Sequence, residues 1–161
     1  MKWALIVLAV LTVVALSIFR LAPSDPVAWH VDPLTAPPLG PNSVTLTPGG
    51  QKEPPVYAMT PQALMERFDA VIMATPRTRL LAGSVAEGFA TYVVRSRVFG
   101  FPDYVSLRAL PAPGGATFAI WSRARFGRGD WGVNRARLKG WLAQLSPGDG
   151  AATGSAGEAL N

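Results

Sequence analysis

Residues 3–19 (WALIVLAVLTVVALSIF) form an uninterrupted run with no charged position and no polar face. A helix packed in a water-soluble core keeps a polar stripe, so this pattern predicts a segment that enters a membrane. At about 1.5 Å per residue the run reaches roughly 25 Å, slightly short of a hydrocarbon core of about 30 Å. Leu21 and Ala22 lengthen it, and Arg20 can snorkel to the interface. The pattern then breaks. Between Pro23 and Pro55 there are nine prolines, with Gly49-Gly50 and no helical period, which predicts an extended, semi-rigid stalk. Val27, Trp29, Val31 and Leu34 give this stalk apolar positions that can pack on whatever follows.

Periodicity returns at Thr60. Thr60 suits an N-cap, Pro61 the first helical position, and Leu64, Phe68, Val71 and Ile72 line one face before Thr75-Pro76 ends the helix. Strands are predicted over 78–85, 89–99, 104–110 and 117–126, with Pro111–Gly115 the clearest turn. A second helix is predicted over 131–145, capped by Asp130, with Leu138, Trp141, Leu142 and Leu145 inward and Pro147-Gly148 beyond it. The order α-β-β-β-β-α implies an α+β fold: an antiparallel sheet of about four strands with two helices on one face. The chain thus divides into an anchor (1–22), a proline-rich stalk (23–58), a single α+β domain (59–146) and a disordered Gly/Ala/Ser-rich tail (147–161).

Two fates are open to the N-terminus. It can remain as a signal-anchor, or be cleaved as a signal peptide at the small-x-small pattern of Ala15 and Ser17. Ile18 and Phe19 carry the apolar run past that pattern, which favours the anchor. The amine and Lys2 on one side against Arg20 on the other favour an inside N-terminus, with the domain on the non-cytoplasmic, periplasmic side of the inner membrane.

Composition narrows the chemistry. With no cysteine, a disulfide framework, a thiolate metal site, a cysteine nucleophile and a lipidated cysteine are excluded. The sole histidine, His30, cannot alone build a zinc site or serve a triad from within the stalk; it reads as a packing or hydrogen-bonding residue. No phosphate-loop, dinucleotide or kinase motif occurs, and no cofactor is expected. Between Arg77 and Lys139, eleven Lys and Arg face three acidic residues, a net +8 that leaves −3 for the rest of the chain. Such a surface suits an anionic partner, and arginine grips oxyanions with a planar fork. For a domain outside the cytoplasm, nucleic acid is not expected.

Strand alternation predicts where the arginines point. Arg95 and Arg97 share a face with Thr91 and Val93; Arg123 and Arg125 share one with Thr117, Ala119 and Trp121. Phe118, Ile120, Ser122, Ala124 and Phe126 form the opposite, core-facing side. All four arginines are therefore expected on the face away from the helices, as a solvated sheet face or, if their strands are neighbours, as a basic patch flanked by Trp121. Downstream, glycines at 127, 129 and 132 suit a tight strand-to-helix turn. Asn134, four residues before Leu138, lies on the buried side and needs partners. Asp130, Asn134 and Arg125 then read either as a hydrogen-bonded lock between strand and helix or as a ligand site.

The run Trp121-Ser122-Arg123-Ala124-Arg125-Phe126-Gly127, then Asp130-Trp131-Gly132-Val133-Asn134 and Arg137, resembles the DUF1499 family, uncharacterised proteins of bacteria and plastids. That family carries Arg-Ser-x-Ser-Arg-x-Gly followed by Asp-x-Gly-x-Asn and a further arginine. Phe101-Pro102-Asp103 with Arg108, and Pro41-Asn42-Ser43-Val44, also match, so the resemblance spans about residues 40–145. Trp121, Ala124 and Ser43 stand where the family has arginine, serine and cysteine, so no chemistry resting on those groups carries over. The resemblance implies no activity.

Two functions are consistent with these patterns. One is a non-catalytic envelope module, held in lipid by residues 3–22, that binds an anionic lipid, cell-wall component or envelope protein through Arg95, Arg97, Arg123, Arg125 and Arg137. The other is an enzyme or small-molecule site for a carboxylated or phosphorylated substrate at Arg125, Asp130 and Asn134, with Asp103 nearby. The missing catalytic set favours the first.

Overall fold

Lys2–Leu21 forms one unbroken helix, α1, with no residue buried against the rest of the protein. It is long and apolar enough to cross a membrane. The computed structural model describes residues 2–36, 40–127, 129 and 132–145. The expected tail and the expected cap Asp130 lie outside the described residues.

After α1 the chain makes two short capped turns. In α2 (Pro26–Trp29), Asp25 Oδ1 accepts from the Val27 amide at 2.9 Å. In a 3₁₀ turn (Pro33–Thr35), Asp32 Oδ1 accepts from the Leu34 amide at 3.0 Å. Each places proline at its first position behind an aspartate cap, where its missing N–H costs nothing. A short strand follows, β1 (Ser43–Leu46).

The helix α3 (Pro61–Met73) begins where the sequence predicts, with Thr60 Oγ1 accepting from the Ala63 amide at 3.2 Å. Four strands follow: β2 (Thr78–Ser84), β3 (Phe89–Arg95), β4 (Pro102–Ala112) and β5 (Gly115–Ala124). The helix α4 (Val133–Leu145) completes the domain. The fold is α+β with one antiparallel sheet, in the order β1-β5-β4-β3-β2.

The sheet has five strands rather than about four. The extra strand, β1, comes from the segment read as stalk and pairs along β5 from Ser43↔Arg123 to Leu46↔Ile120. The arginine strands are also not neighbours: β4 lies between β3 and β5. Consecutive hairpins build a meander, so the third strand in sequence is two places from the first, and the single basic patch that adjacency required does not form.

Both helices pack on one face of the sheet. Leu64, Met65, Phe68 and Ile72 of α3 and Leu138, Trp141, Leu142 and Leu145 of α4 are buried with Tyr92, Leu107, Phe118 and Ile120. Phe68 meets Phe118 edge-on at 4.9 Å between centroids. Trp141 Nε1 donates to Thr75 Oγ1 at 2.8 Å, joining the two helices with the one polar group its indole must satisfy.

Candidate functional site

Alternation sends every second residue of β3, β4 and β5 to the other face, and that face is covered too. Thr91, Val93, Tyr104, Ser106 and Ala119 are fully buried there, and Arg123 is 6% exposed. Neither α3 nor α4 lies on it. The cover is the segment that follows α1, residues 22–36, laid across the strands as a strap.

The strap is held by ring stacking and by arginine. Trp29 stacks on Tyr104 at 3.8 Å with an interplanar angle of 12°, and His30 stacks on Phe89 at 4.0 Å. Gly83 makes the second contact feasible: it has φ +76° and His30 Cε1 would lie 2.9 Å from any Cβ there. A buried polar line runs beneath: His30 Nδ1 to Thr91 Oγ1 (2.9 Å), Thr91 Oγ1 to Ser106 Oγ (3.1 Å), and Arg123 Nη1 donating to Ser106 Oγ (3.1 Å). The packing and hydrogen-bonding role expected for His30 is the one it has.

Arg123 also donates from Nη2 to the Trp29 carbonyl at 2.5 Å and lies over the Trp121 ring, 3.8 Å from its centroid. Arg125 donates from Nη1 to the Pro23 carbonyl at 2.6 Å and sits between Trp29 and Phe126. Arg95 reaches the chain end of α1: Nη1 donates to Gly100 O (2.9 Å) and Phe19 O (3.4 Å), and Nη2 to Ala22 O (3.2 Å). The last carbonyls of a helix lack intrahelical partners and carry its negative end, so a guanidinium there answers both needs. Three cations thus bind main-chain carbonyls of residues 19–29 and no described carboxylate. Burial pushes the Arg123 guanidinium down to about 10, with the Tyr104 phenol pulling the other way.

The helix-side network is separate. Ser122 Oγ donates to Asn134 Oδ1 at 2.5 Å, Arg137 Nη1 donates to the same oxygen at 2.8 Å, and Arg137 Nη2 pairs with Asp103 Oδ2 at 2.6 Å. Asn134 is fully buried, and the Arg137 and Asp103 side chains are nearly so. A lock between strand and helix therefore exists, built from Ser122, Asn134, Arg137 and Asp103. Arg125 is not in it, because the pleat of β5 turns Arg123 and Arg125 toward the strap and Ser122 toward α4. The sheet stands between Arg125 and Asn134. Asp130 lies outside the described residues.

Arg97 falls in the turn after β3, exposed, beside Val98 and Phe99. That turn sits against the end of α1: Arg20 Nη2 donates to Val98 O at 2.8 Å, and Phe19 packs edge-on to Phe101 (4.8 Å) and Phe126 (5.0 Å). Arg20, Arg77, Arg95, Arg97, Ser96 and Gly100 line a cavity of about 280 Å³ there. Neither Arg20 nor Arg77 is a candidate ligand-binding residue by sequence pattern, although Arg20 terminating the apolar run is a usable signal. A second cavity, about 390 Å³, opens between the strap and the start of β1, lined by Trp29, Asn42, Trp121 and Arg123.

A family described as "Protein of unknown function (DUF1499)" matches residues 33–145. No curated protein and no solved structure matches the chain.

Proposed function

Since the chain belongs to the DUF1499 family, whose description assigns no activity, we propose its role from its own geometry: a membrane-anchored, non-catalytic envelope module that presents a basic end to an anionic ligand. The observation that carries this reading is the joint between domain and anchor. Arg95, Arg123 and Arg125 spend their donors on carbonyls of residues 19–29. A domain fastened in this way cannot swing far from the bilayer that holds α1, and its arginine-rich end stays at the headgroup level. The ligand is an anionic lipid, a cell-wall component or an envelope protein with an acidic surface.

The charge pattern around α1 supports a non-cytoplasmic domain, with the amine and Lys2 inside. The network of Ser122, Asn134, Arg137 and Asp103 supports a structural rather than catalytic use of the polar residues near α4, since its groups are buried and bonded to one another. Alkaline phosphatase fused after Asn161 tests the side of the membrane. We expect an active reporter in intact cells and a membrane-fractionating chain that retains residues 1–17. An inactive reporter, or a chain released after cleavage near Ser17, would overturn the reading.

A further inference from the structure

We propose that the cavity bounded by Arg20, Arg77, Arg95 and Arg97 is a headgroup site for an anionic phospholipid, with the lipid phosphate as the group recognised. The proposal rests on the membrane-anchored reading above and names the ligand and the place. Four arginines line a cavity of about 280 Å³, and none of the four has a carboxylate in salt-bridge contact among the described residues. Like charges converging in this way repel one another, and an oxyanion between them turns repulsion into attraction.

The donors left over fit a phosphate. Arg77 commits only Nε, to the Arg95 carbonyl at 3.2 Å, so its terminal nitrogens are unengaged. Arg20 commits Nη2 alone, and Arg97 makes no hydrogen bond to a described residue. Arginine forks bind phosphate oxygens two at a time. Arg77 is also the one non-glycine described residue with positive φ, 62°. This left-handed backbone is costly for a long side chain, and such strain persists where something else fixes the residue.

The surroundings identify the phosphate as a lipid's. The cavity opens beside the last turn of α1, where a membrane helix meets the headgroups. Gly100 lets that turn approach, since a Cβ there would lie 2.6 Å from Arg20 Cγ. The same loop exposes Val98 (66%) and Phe99 (48%), apolar side chains that water would not favour and a bilayer interface would. Cations around the pocket and an apolar tip beside it match the order of phosphate and acyl chain in a lipid.

The test uses the full chain extracted in mild detergent, with native mass spectrometry counting retained lipid after exchange into phosphatidylglycerol or phosphatidylcholine. Wild type should retain phosphatidylglycerol preferentially. The Arg77→Gly, Arg97→Ala double variant should lose that retention about tenfold, the loss expected for charge-assisted bonds. Glycine relieves the left-handed backbone at position 77, so misfolding does not explain such a loss. Lys52→Ala, in the loop beyond β1 at the opposite end of the sheet, should leave retention unchanged. Equal retention by wild type and the double variant would overturn the site, as would equal loss in the Lys52 variant. Displacement of the lipid by millimolar inorganic phosphate would overturn the lipid assignment in favour of a soluble phosphate ligand. Loss of the headgroup site with an active phosphatase reporter sinks this proposal alone; an inactive reporter sinks the reading beneath it.

Discussion

At the scale of single residues, two buried ionisable groups bear on alkaline stability with opposite signs. Tyr92 donates to Asp69 Oδ1 at 2.7 Å, and burial first, then that hydrogen bond and the carboxylate's charge, hold its phenol far above the usual range. In the unfolded chain it ionises near pH 10, about its reference value. A raised folded pKa means stability that is complete below that pH and is lost as pH rises beyond it. Arg123, pushed down to about 10, behaves conversely: its burial penalty is present at neutral pH and fades above pH 10. The tyrosine therefore produces the alkaline loss. Urea midpoints for wild type and Tyr92→Phe should show the variant weaker at neutral pH by about 1 kcal/mol, for the lost hydrogen bond. Above about pH 10 the gap should close. A gap that stays constant would contradict this assignment.

At the scale of elements, β5 joins two layers that differ in kind. Its even-numbered residues meet hydrophobic helices, and Arg123 meets a strap of main-chain carbonyls. The polar lock at Ser122 holds α4 in register with the sheet. Arg137→Ala should destabilise the domain by on the order of 3 kcal/mol, because it removes the charge partner of a buried Asp103 carboxylate and a donor from Asn134. Chemical denaturation at pH 7 measures it, and a change below about 1 kcal/mol would show that water replaces the guanidinium without loss. Much of this architecture was legible. The Thr60-Pro61 start of α3, the inward Leu138, Trp141 and Leu142, and the alternation that turns Arg123 from the core are all local patterns. β1 was not recognised: Ser43–Leu46 alternates polar and apolar, but over only four residues between prolines and glycines, and its pairing is with a strand 74 to 80 positions away. The lock was half legible: Asn134 announced a need for partners and Arg137 lies one turn further along the same helix, but Asp103 and Ser122 are brought to it by the sheet.

At the scale of the whole molecule, the stretch after α1 is a structural part of the domain. Trp29 and His30 could be read as packing residues, yet their partners Tyr104, Phe89 and Arg123 come from three strands, and nothing in the sequence pairs them. The basic character of the chain was plain from its charge distribution. Its division was not: Arg123, Arg125 and Arg95 bind carbonyls at the end of α1 and in the strap, whereas Arg20, Arg77 and Arg97 stand with Arg95 around an open cavity. On the proposed anchored reading, fastening and cavity together would seat the turn at Val98 and Phe99 on the bilayer surface. The chain contains no cysteine, so one introduced thiol gives one label. A nitroxide at Val98→Cys, in the full chain reconstituted into phosphatidylglycerol-containing bilayers, reports depth through its collisions with oxygen and with an aqueous nickel chelate. The account predicts a label shielded from nickel and enriched in oxygen contact relative to the same label at Lys52→Cys; equal nickel accessibility at the two positions would contradict it.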